Sequence, residues 1–353
     1  MQKKLIALAV ASLISLPAMA QSNVTVYGVA DVYLKSTWGD GKRINGVDAG
    51  GENGSRLGFK GTEDLGNGLK AIFDFQFGSL NLDQATGVNS TRYSFVGLQG
   101  GFGTVVAGRL QTPGYYSSYY FDPGKAHFFS AYQRLGVGIA AGGVGATINT
   151  GWNAPSRQNN AVAYMLPEFG GLKTTLAYAF GEQDGDSVGQ EKRQGVAAVG
   201  FDYANGPIKA SYTYQRVDNI GGTSADQQEH FIGASYSFGM VKVLGSWQNA
   251  KVDPVIGSAQ TDKLWSVGAQ VDVGPSGHIS VGYAKADVDA AGGDGKGYTL
   301  AYEHSLSKRT HLYAGYGRVF NGDATTRFNF RENLAIANGK SVSTVGFGVS
   351  HQF

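Results

Sequence analysis

Residues 69–77 read LKAIFDFQF, and this stretch decides the fold class. Its odd positions are all apolar, whereas three of its four even positions are the polar Lys70, Asp74 and Gln76. An apolar residue at every second position is typical of a β-strand with one apolar face. The same alternation recurs in residues 172–180, 208–215 and 265–272. The pattern therefore predicts an all-β protein in which each strand has one apolar and one polar or small-residue face.

The composition favours a membrane barrel over a soluble β-protein. The chain has 54 glycines, 19 tyrosines, 19 phenylalanines and no cysteine, and its mean hydropathy is only −0.17. Beyond the first 20 residues, no uncharged apolar run approaches the roughly 18 residues that a membrane-spanning helix needs. Strands with one apolar face can cross a membrane at this middling hydropathy. The formal net charge of +2 gives no reason to expect a nucleic-acid partner.

The start of the chain has the pattern of a secretory signal peptide. Lys3 and Lys4 precede an uncharged stretch that ends at Leu16, and the small-residue site at positions 18–20 follows Pro17. We expect cleavage after Ala20. Residues 21–353 are then a single transmembrane β-barrel domain, since no linker or repeat divides them.

Turn signals give the number of strands. Glycine, asparagine and proline mark seven short turns, and long polar connections alternate with them. The expected long connections are residues 37–52, 79–89, 111–157, 182–194, 218–228, 251–262, 288–296 and 321–341. Fifteen connections join sixteen strands of about nine to eleven residues, the length of a tilted membrane strand. The sequence thus predicts a 16-stranded antiparallel transmembrane β-barrel, a size that leaves an aqueous channel.

Several segments resemble Gram-negative porins of the β-proteobacterial type, as found in Burkholderia, Bordetella, Comamonas and Neisseria. These segments are VTVYGVAD at residues 24–31, SRLGFKGTEDLGNGLK at 55–70, FVGLQGGFGTVVAGR at 95–109, SLSKRT at 305–310 and the ending VGFGVSHQF. The resemblance implies a homotrimer in the bacterial outer membrane that lets small hydrophilic solutes diffuse passively, without catalysis or a cofactor. It also implies that the third long connection, which is rich in tyrosine, folds into the barrel. The expected partners are further copies of the chain, outer-membrane lipids, the barrel assembly machinery, and small solutes and anions.

Strand parity and the resemblance together indicate a basic constriction. Arg56, Arg92 and Arg157 alternate with outward apolar residues and match positions where similar porins carry a basic cluster on the channel wall. The alternative is that each is an ordinary solvated residue of the lumen. The other residues that we assign to the constriction are Lys60, Asp31, Asp74 and Asp122. Because Asp122 is the only carboxylate between residues 111 and 156, we expect the constriction to be positive overall and to prefer anions.

Three further features carry predictions. Inward lysines follow four of the short turns and form a possible basic collar at the periplasmic mouth, although Asp202, Asp272 and Glu303 offer it counter-charges. The collar lysines are Lys70, Lys173, Lys209 and Lys242. Parity points Arg109 outward although it resembles a recurrent arginine of the family, so its direction stays open. The C-terminal Phe353 ends an outward face of alternating apolar residues, which is typical of the assembly signal of outer-membrane barrels.

Two other functions remain possible at this stage. A substrate-specific channel for sugars or organic acids would use the tyrosines of the third loop to stack on its solute and would show saturable conductance. A surface barrel whose loops act as an adhesin would have a closed lumen. No nucleophile with a base, and no paired acids, indicate an enzyme, and the six scattered histidines show no zinc-ligand spacing.

Overall fold

The computed structural model describes residues 23–78, 80, 82, 90–140, 156–181, 195–218, 225–254, 257–331 and 334–353. The expected signal peptide, residues 1–20, lies outside these ranges. Among the described residues, no helix is both long and apolar enough to cross a membrane.

Seventeen strands in these ranges form one continuous sheet. They are β1 (Asn23–Gly39), β2 (Lys42–Ala49), β3 (Arg56–Gly66), β4 (Leu69–Gly78), β5 (Ser90–Gly100), β6 (Gly103–Gln111), β7 (Arg157–Met165), β8 (Leu172–Ala179), β9 (Val196–Asn205), β10 (Ile208–Val217), β11 (Asp226–Phe238), β12 (Val241–Asp253), β13 (Gln260–Val273), β14 (Gly277–Asp287), β15 (Gly295–Ser305), β16 (Thr310–Asn321) and β17 (Val342–Gln352).

The sheet is antiparallel throughout and closes on itself. One edge of β1 pairs with β17, with Val32 opposite Val349. The other edge pairs with β3 near the start of β1 and with β2 near its end. β2 and β3 therefore share one place in the wall, and the seventeen strands make the predicted barrel of sixteen. Closure gives every strand two hydrogen-bonded neighbours, which a lipid environment requires.

The first long connection differs from the prediction. Residues 37–52 are not an irregular loop, because β1 continues to Gly39 and β2 returns along it. Asp40 and Gly41 form the turn, with φ angles of 50° and 74°. Positive φ at both central residues is the backbone conformation that Asp-Gly favours in a two-residue hairpin. The Asp40-Gly41 dipeptide predicts this hairpin, but the long polar stretch around it favoured the prediction of a loop.

The two faces of the wall differ as the alternation predicts. Large apolar side chains point outward and are exposed, for example Val96 (58%), Val267 (53%) and Phe347 (55%). Inward positions of the same wall hold small or polar buried residues such as Ser211 and Ser266. An exposed apolar band of this extent is unfavourable in water and favourable against lipid.

The third long connection forms two helices and reaches strands far from its own ends. Helix α1 (Pro113–Tyr120) follows β6 and contacts β9, β10 and β11. Helix α2 (Ala131–Ala140) contacts β13, β14, β15 and β16. Hydrogen bonds join this segment to the wall: Ser117 Oγ lies 2.6 Å from Ser211 Oγ, and the Ala131 amide donates to Thr299 Oγ1 at 2.8 Å.

Glycines allow the segment to approach the wall closely. Pro123 lies between the two helices and packs against the backbone of Gly268 on β13 and Gly282 on β14. A Cβ atom at either glycine would clash with the proline ring. Lack of a side chain is therefore required at these two positions for steric reasons.

Helix α2 and the last long connection share an apolar core with the wall. Leu135 and Ile139 of α2 and Phe328 of the last connection are fully buried together. The strand residues in this cluster include Ala250, Leu264, Val319 and Val342. The interior faces of β12–β17 are thus apolar where they meet α2, which is unusual for the wall of a water-filled barrel.

Candidate functional site

A cavity of about 430 Å³ lies between α1 and the wall formed by β3–β7. Four arginines line it: Arg56, Arg92, Arg109 and Arg157. Tyr115, Tyr116 and Tyr119 line it from the helix. Among its described lining residues, Glu52 is the single carboxylate. The cavity therefore has a strong excess of positive charge.

The three arginines predicted to share a site are brought together here. Arg56 begins β3, Arg157 begins β7, and Arg92 lies near the start of β5, so all three stand at the same end of the barrel. Neutral groups hold their guanidinium groups in place: Arg92 Nε donates to Gln76 Oε1 at 2.7 Å, and Arg157 Cζ lies 4.9 Å from the centre of the Tyr115 ring. Because these partners carry no charge, the arginine charges are not neutralised.

Arg109 lines the cavity beside an irregularity in the pairing of β6 with β7. Between the pairs made by Gly108 and Leu110, β7 has one residue more than β6, which is a β-bulge on β7. On β6 itself, Gly108 has a φ of 144°, outside the strand region, and this interrupts the regular alternation next to Arg109. Arg109 Nε then donates to the Thr91 carbonyl at 2.9 Å. Simple parity, which pointed Arg109 outward, fails at this point for that reason.

The acids assigned to the constriction lie elsewhere. The Asp31 carboxylate is fully buried and accepts hydrogen bonds from the amides of residues 51, 52 and 53 and from the Tyr313 hydroxyl at 2.6 Å. Asp74 accepts from the hydroxyls of Tyr27 at 2.5 Å and Tyr93 at 3.3 Å. Lys60 Nζ lies 5.1 Å from the centre of the Tyr27 ring. Asp31 and Asp74 thus have hydroxyl and amide partners and leave the arginine charges uncompensated.

Asp122 is a structural carboxylate of the third connection. It is fully buried and accepts from the amides of Gly124 and Ala126, at 2.7 and 2.8 Å, and from Ser130 Oγ at 2.9 Å. Burial raises the pKa of Asp122 above its usual range, although these hydrogen bonds oppose the shift. The carboxylate holds the turn between α1 and α2 in shape. It lines a second, smaller cavity and does not face the arginines.

The four collar lysines do not form one group. Lys209 and Lys242 converge on the ring of Tyr120, with Nζ atoms 4.8 and 5.1 Å from its centre. Lys173 instead lies 3.6 Å from Glu168, and Lys70 is exposed on β4. Two of the predicted lysines therefore stand at the end of α1 and two stand apart from them.

Comparison with known proteins gives the family. The family model described as Gram-negative porin matches residues 7–324. The chain is 36% identical to outer membrane porin protein 32 of Delftia acidovorans, over the whole of both chains, and 29% identical to an outer membrane porin protein of Bordetella pertussis over the same full extent. The chain belongs to the Gram-negative porin family.

A solved structure has a fold similar to that of this porin. The anion-selective porin from Comamonas acidovorans is 32% identical and superposes with a TM-score of 0.81, covering 94% of this chain and 100% of that one. The porin family consists of channels, not enzymes, so this chain is an outer-membrane channel for passive diffusion that crosses the membrane many times. The sixteen-stranded barrel, the channel function and the family resemblance expected from the sequence are confirmed.

The end of the porin chain completes the wall. The amide of Phe353 donates to the Gly28 carbonyl, and the Gly28 amide donates to the Phe353 carbonyl, both at 3.1 Å. The Phe353 ring covers Gly28, while Val345, Phe347 and Val349 point outward and are exposed. The apolar face expected for the last strand is present, and its terminal aromatic residue lies at the seam where the barrel closes.

Proposed function

We propose that this porin prefers anions, and that residues 112–140 fold into the barrel and narrow the channel beside the four arginines. The observation that carries the proposal is the charge of the 430 Å³ cavity, where Arg56, Arg92, Arg109 and Arg157 face one carboxylate among the described lining residues. Arginine stays charged at any physiological pH. A narrow aqueous passage lined by one sign of charge concentrates counter-ions and repels co-ions.

The contacts of the third connection support the inward position. The segment leaves the wall after β6, yet α1 reaches β9–β11 and α2 reaches β13–β16. A path through the interior joins these contacts directly, because β6 and β14 stand on opposite sides of a sixteen-stranded ring. Such a path leaves the arginine-lined cavity as the open space between α1 and the wall. The Comamonas structure, whose title names it anion-selective, is the relative that supports the same preference.

A salt-gradient recording tests the proposal. Purified protein in a planar bilayer between two KCl concentrations should give a reversal potential displaced toward the chloride equilibrium value. A displacement toward the potassium value would reject anion preference while leaving the porin assignment intact. Saturable block by a neutral sugar would favour the substrate-specific alternative, in which the exposed ring of Tyr116 would stack on the solute.

We also infer that the porin is a homotrimer. On β1, Val24 and Val26 are exposed, and Ala30 and Val32 on the same outward face are partly exposed. Small and branched side chains allow two walls to pack closely, whereas lipid interfaces are enriched in aromatic residues. Native mass spectrometry of the detergent-solubilised protein should give three chains per particle. A stable monomer would contradict the inference.

The proposal also covers cleavage of the signal peptide and assembly of the barrel. Removal of residues 1–20 would leave residues 21–353 as the barrel, and the exposed apolar band supports contact with outer-membrane lipids. Phe353 is the residue through which we expect the barrel assembly machinery to recognise the chain. Deleting Phe353 should lower the yield of folded barrel in the outer membrane by more than substituting the neighbouring Gln352 with alanine.

A further inference from the structure

We propose that Glu52, His127 and Glu303 form a binding site for one transition-metal dication of the Zn²⁺ type. We call these three residues the Glu-His-Glu cluster. They come from separate places in the chain: the bend between β2 and β3, the segment between α1 and α2, and β15. Their spacing in the sequence therefore matches no zinc-binding motif. For that reason the positions of the histidines did not predict a metal site.

The fold brings three metal-ligating atoms together. One ligand atom from each residue lies within 4.8 Å of the others, and His127 Nε2 lies 3.0 Å from Glu303 Oε1. A tetrahedral zinc ion with bonds of roughly 2.1 Å holds its ligands about 3.4 Å apart. The fourth position would be open to water from the adjoining cavity.

Three buried polar atoms in the cluster lack the partners that buried polar atoms normally have. Within the described part of the chain, Glu52 Oε2, His127 Nδ1 and Glu303 Oε1 have no hydrogen-bond partner. The His127 side chain is only 1% exposed. Buried polar groups almost always have a hydrogen-bond partner, so these three atoms point to a missing ligand. A cation bound by Glu52 and by one nitrogen of His127 would supply it.

Access and charge suit a cation. The cluster lines a cavity of about 230 Å³ whose other charged residues are Asp122, Lys125 and Lys242. Three carboxylates therefore face two lysines there. Lys125 Nζ lies 2.6 Å from Glu303 Oε2, which leaves Oε1 for a metal and makes the ammonium group the main competitor.

The ligand types select the metal. Imidazole suits zinc, copper and nickel, whereas calcium and magnesium prefer sites made of oxygen alone. One imidazole with two carboxylates is a donor set that Zn²⁺ uses in proteins. Glu52 also lines the arginine cavity, so a bound dication would add positive charge beside the channel.

Equilibrium dialysis of the folded, untagged protein against ZnCl₂ after EDTA treatment tests the site. The expected result is one Zn²⁺ per chain. His127→Gln should weaken binding at least tenfold, since it removes a ligand. The matched control is His230→Gln, because His230 Nδ1 lies 2.9 Å from the Tyr212 hydroxyl and His230 is not among the residues that line the zinc cavity; this variant should bind zinc as the wild type does.

A second variant keeps the proposal testable if His127→Gln fails to fold. Lys125→Met leaves all three ligands intact and removes the competing charge, so it should tighten zinc binding by at least tenfold, as expected for a unit charge about 5 Å from a dication even at the dielectric constant of water. Absence of stoichiometric zinc in the wild type would overturn the proposal. Zinc affinity that is unchanged in Lys125→Met would overturn it as well.

Discussion

The third long connection meets two parts of the wall differently: it leaves a polar cavity beside β3–β7 and packs into an apolar cluster against β12–β17. Against β3–β7, α1 leaves a cavity lined by arginines and tyrosines. Against β12–β17, α2 and the last long connection pack into a fully apolar cluster. The third connection is therefore anchored in an apolar core through α2 and borders a polar cavity through α1. The lesson is that a porin constriction needs a packed side to hold its polar side in position.

The largest effect should come from the packed side. Leu135 is fully buried in α2, and Leu→Ala changes at such sites cost about 2–5 kcal/mol of stability. We expect Leu135→Ala to lower the temperature at which the folded barrel loses its third-connection structure and to increase the noise of the open channel. Leu176→Ala, on the lipid-facing side of β8, is the control and should change neither. Equal effects of the two variants would mean that α2 is not an anchor.

The next effect concerns the polar side. A unit charge about 6 Å from a passing ion contributes about 0.7 kcal/mol in water, or about threefold in local anion concentration. The triple variant Arg56→Gln, Arg92→Gln and Arg157→Gln should therefore lower the local chloride concentration by roughly thirtyfold and raise that of potassium, so that the chloride-to-potassium permeability ratio falls by more than roughly thirtyfold. Reversal potentials measure this ratio. Arg309→Gln, in an exposed turn, should leave the ratio unchanged, and a triple variant that behaves like Arg309→Gln would contradict the account.

The smallest effect comes from Glu52, the carboxylate that borders the arginine cavity. Burial raises the pKa of Glu52 above its usual range, more than the nearby His127 lowers it. Its negative charge is therefore lost as the pH falls through a value above that of an ordinary glutamate. Anion preference should rise over that interval, with a change in local anion concentration of about threefold at most for one charge.

The pH dependence of the reversal potential checks this assignment in two variants. Glu52→Gln should remove the change within that interval. Asp64→Asn, at an exposed position near a short turn, should retain it. A pH response that persists in Glu52→Gln belongs to another group.

The strands of the wall and their lipid-facing side chains could be predicted from the sequence. The arrangement of the residues inside the barrel could be predicted only in part. Period-two alternation fixes which side chains face lipid, because burial of one strand face requires it, and Arg56 follows from the same parity. Arg92 and Arg157 do not, because a bulge separates each of them from the regular part of its strand: Tyr93, next to Arg92, pairs with the buried Gln76 and does not face outward as predicted. Arg109 did not follow either, since the φ of Gly108 interrupts the alternation of β6. The apolar cluster was missed although inward Leu264 and Val319 break the polar pattern. Residues such as Leu264 and Val319 pack against residues that are distant in the sequence, and strand alternation does not predict these contacts.

The roles of the acids were the least predictable. Parity places Asp31 inward, but only the fold shows that three backbone amides and Tyr313 occupy its carboxylate. Asp122 has a similar position among the amides of its own turn. Neutral donors leave the charge on these carboxylates, but they fix its position away from the lining of the arginine cavity.

Cysteine accessibility tests the difference between the two sides most directly, because the chain contains no cysteine of its own. Thr91→Cys places a thiol in the arginine-lined cavity, and Ala250→Cys places one in the apolar cluster at a fully buried position. Single channels are recorded while a negatively charged methanethiosulfonate reagent is added. The account predicts a lasting fall in conductance for Thr91→Cys and no change for Ala250→Cys. Modification of Ala250→Cys at the same rate, or no response from Thr91→Cys, would contradict it.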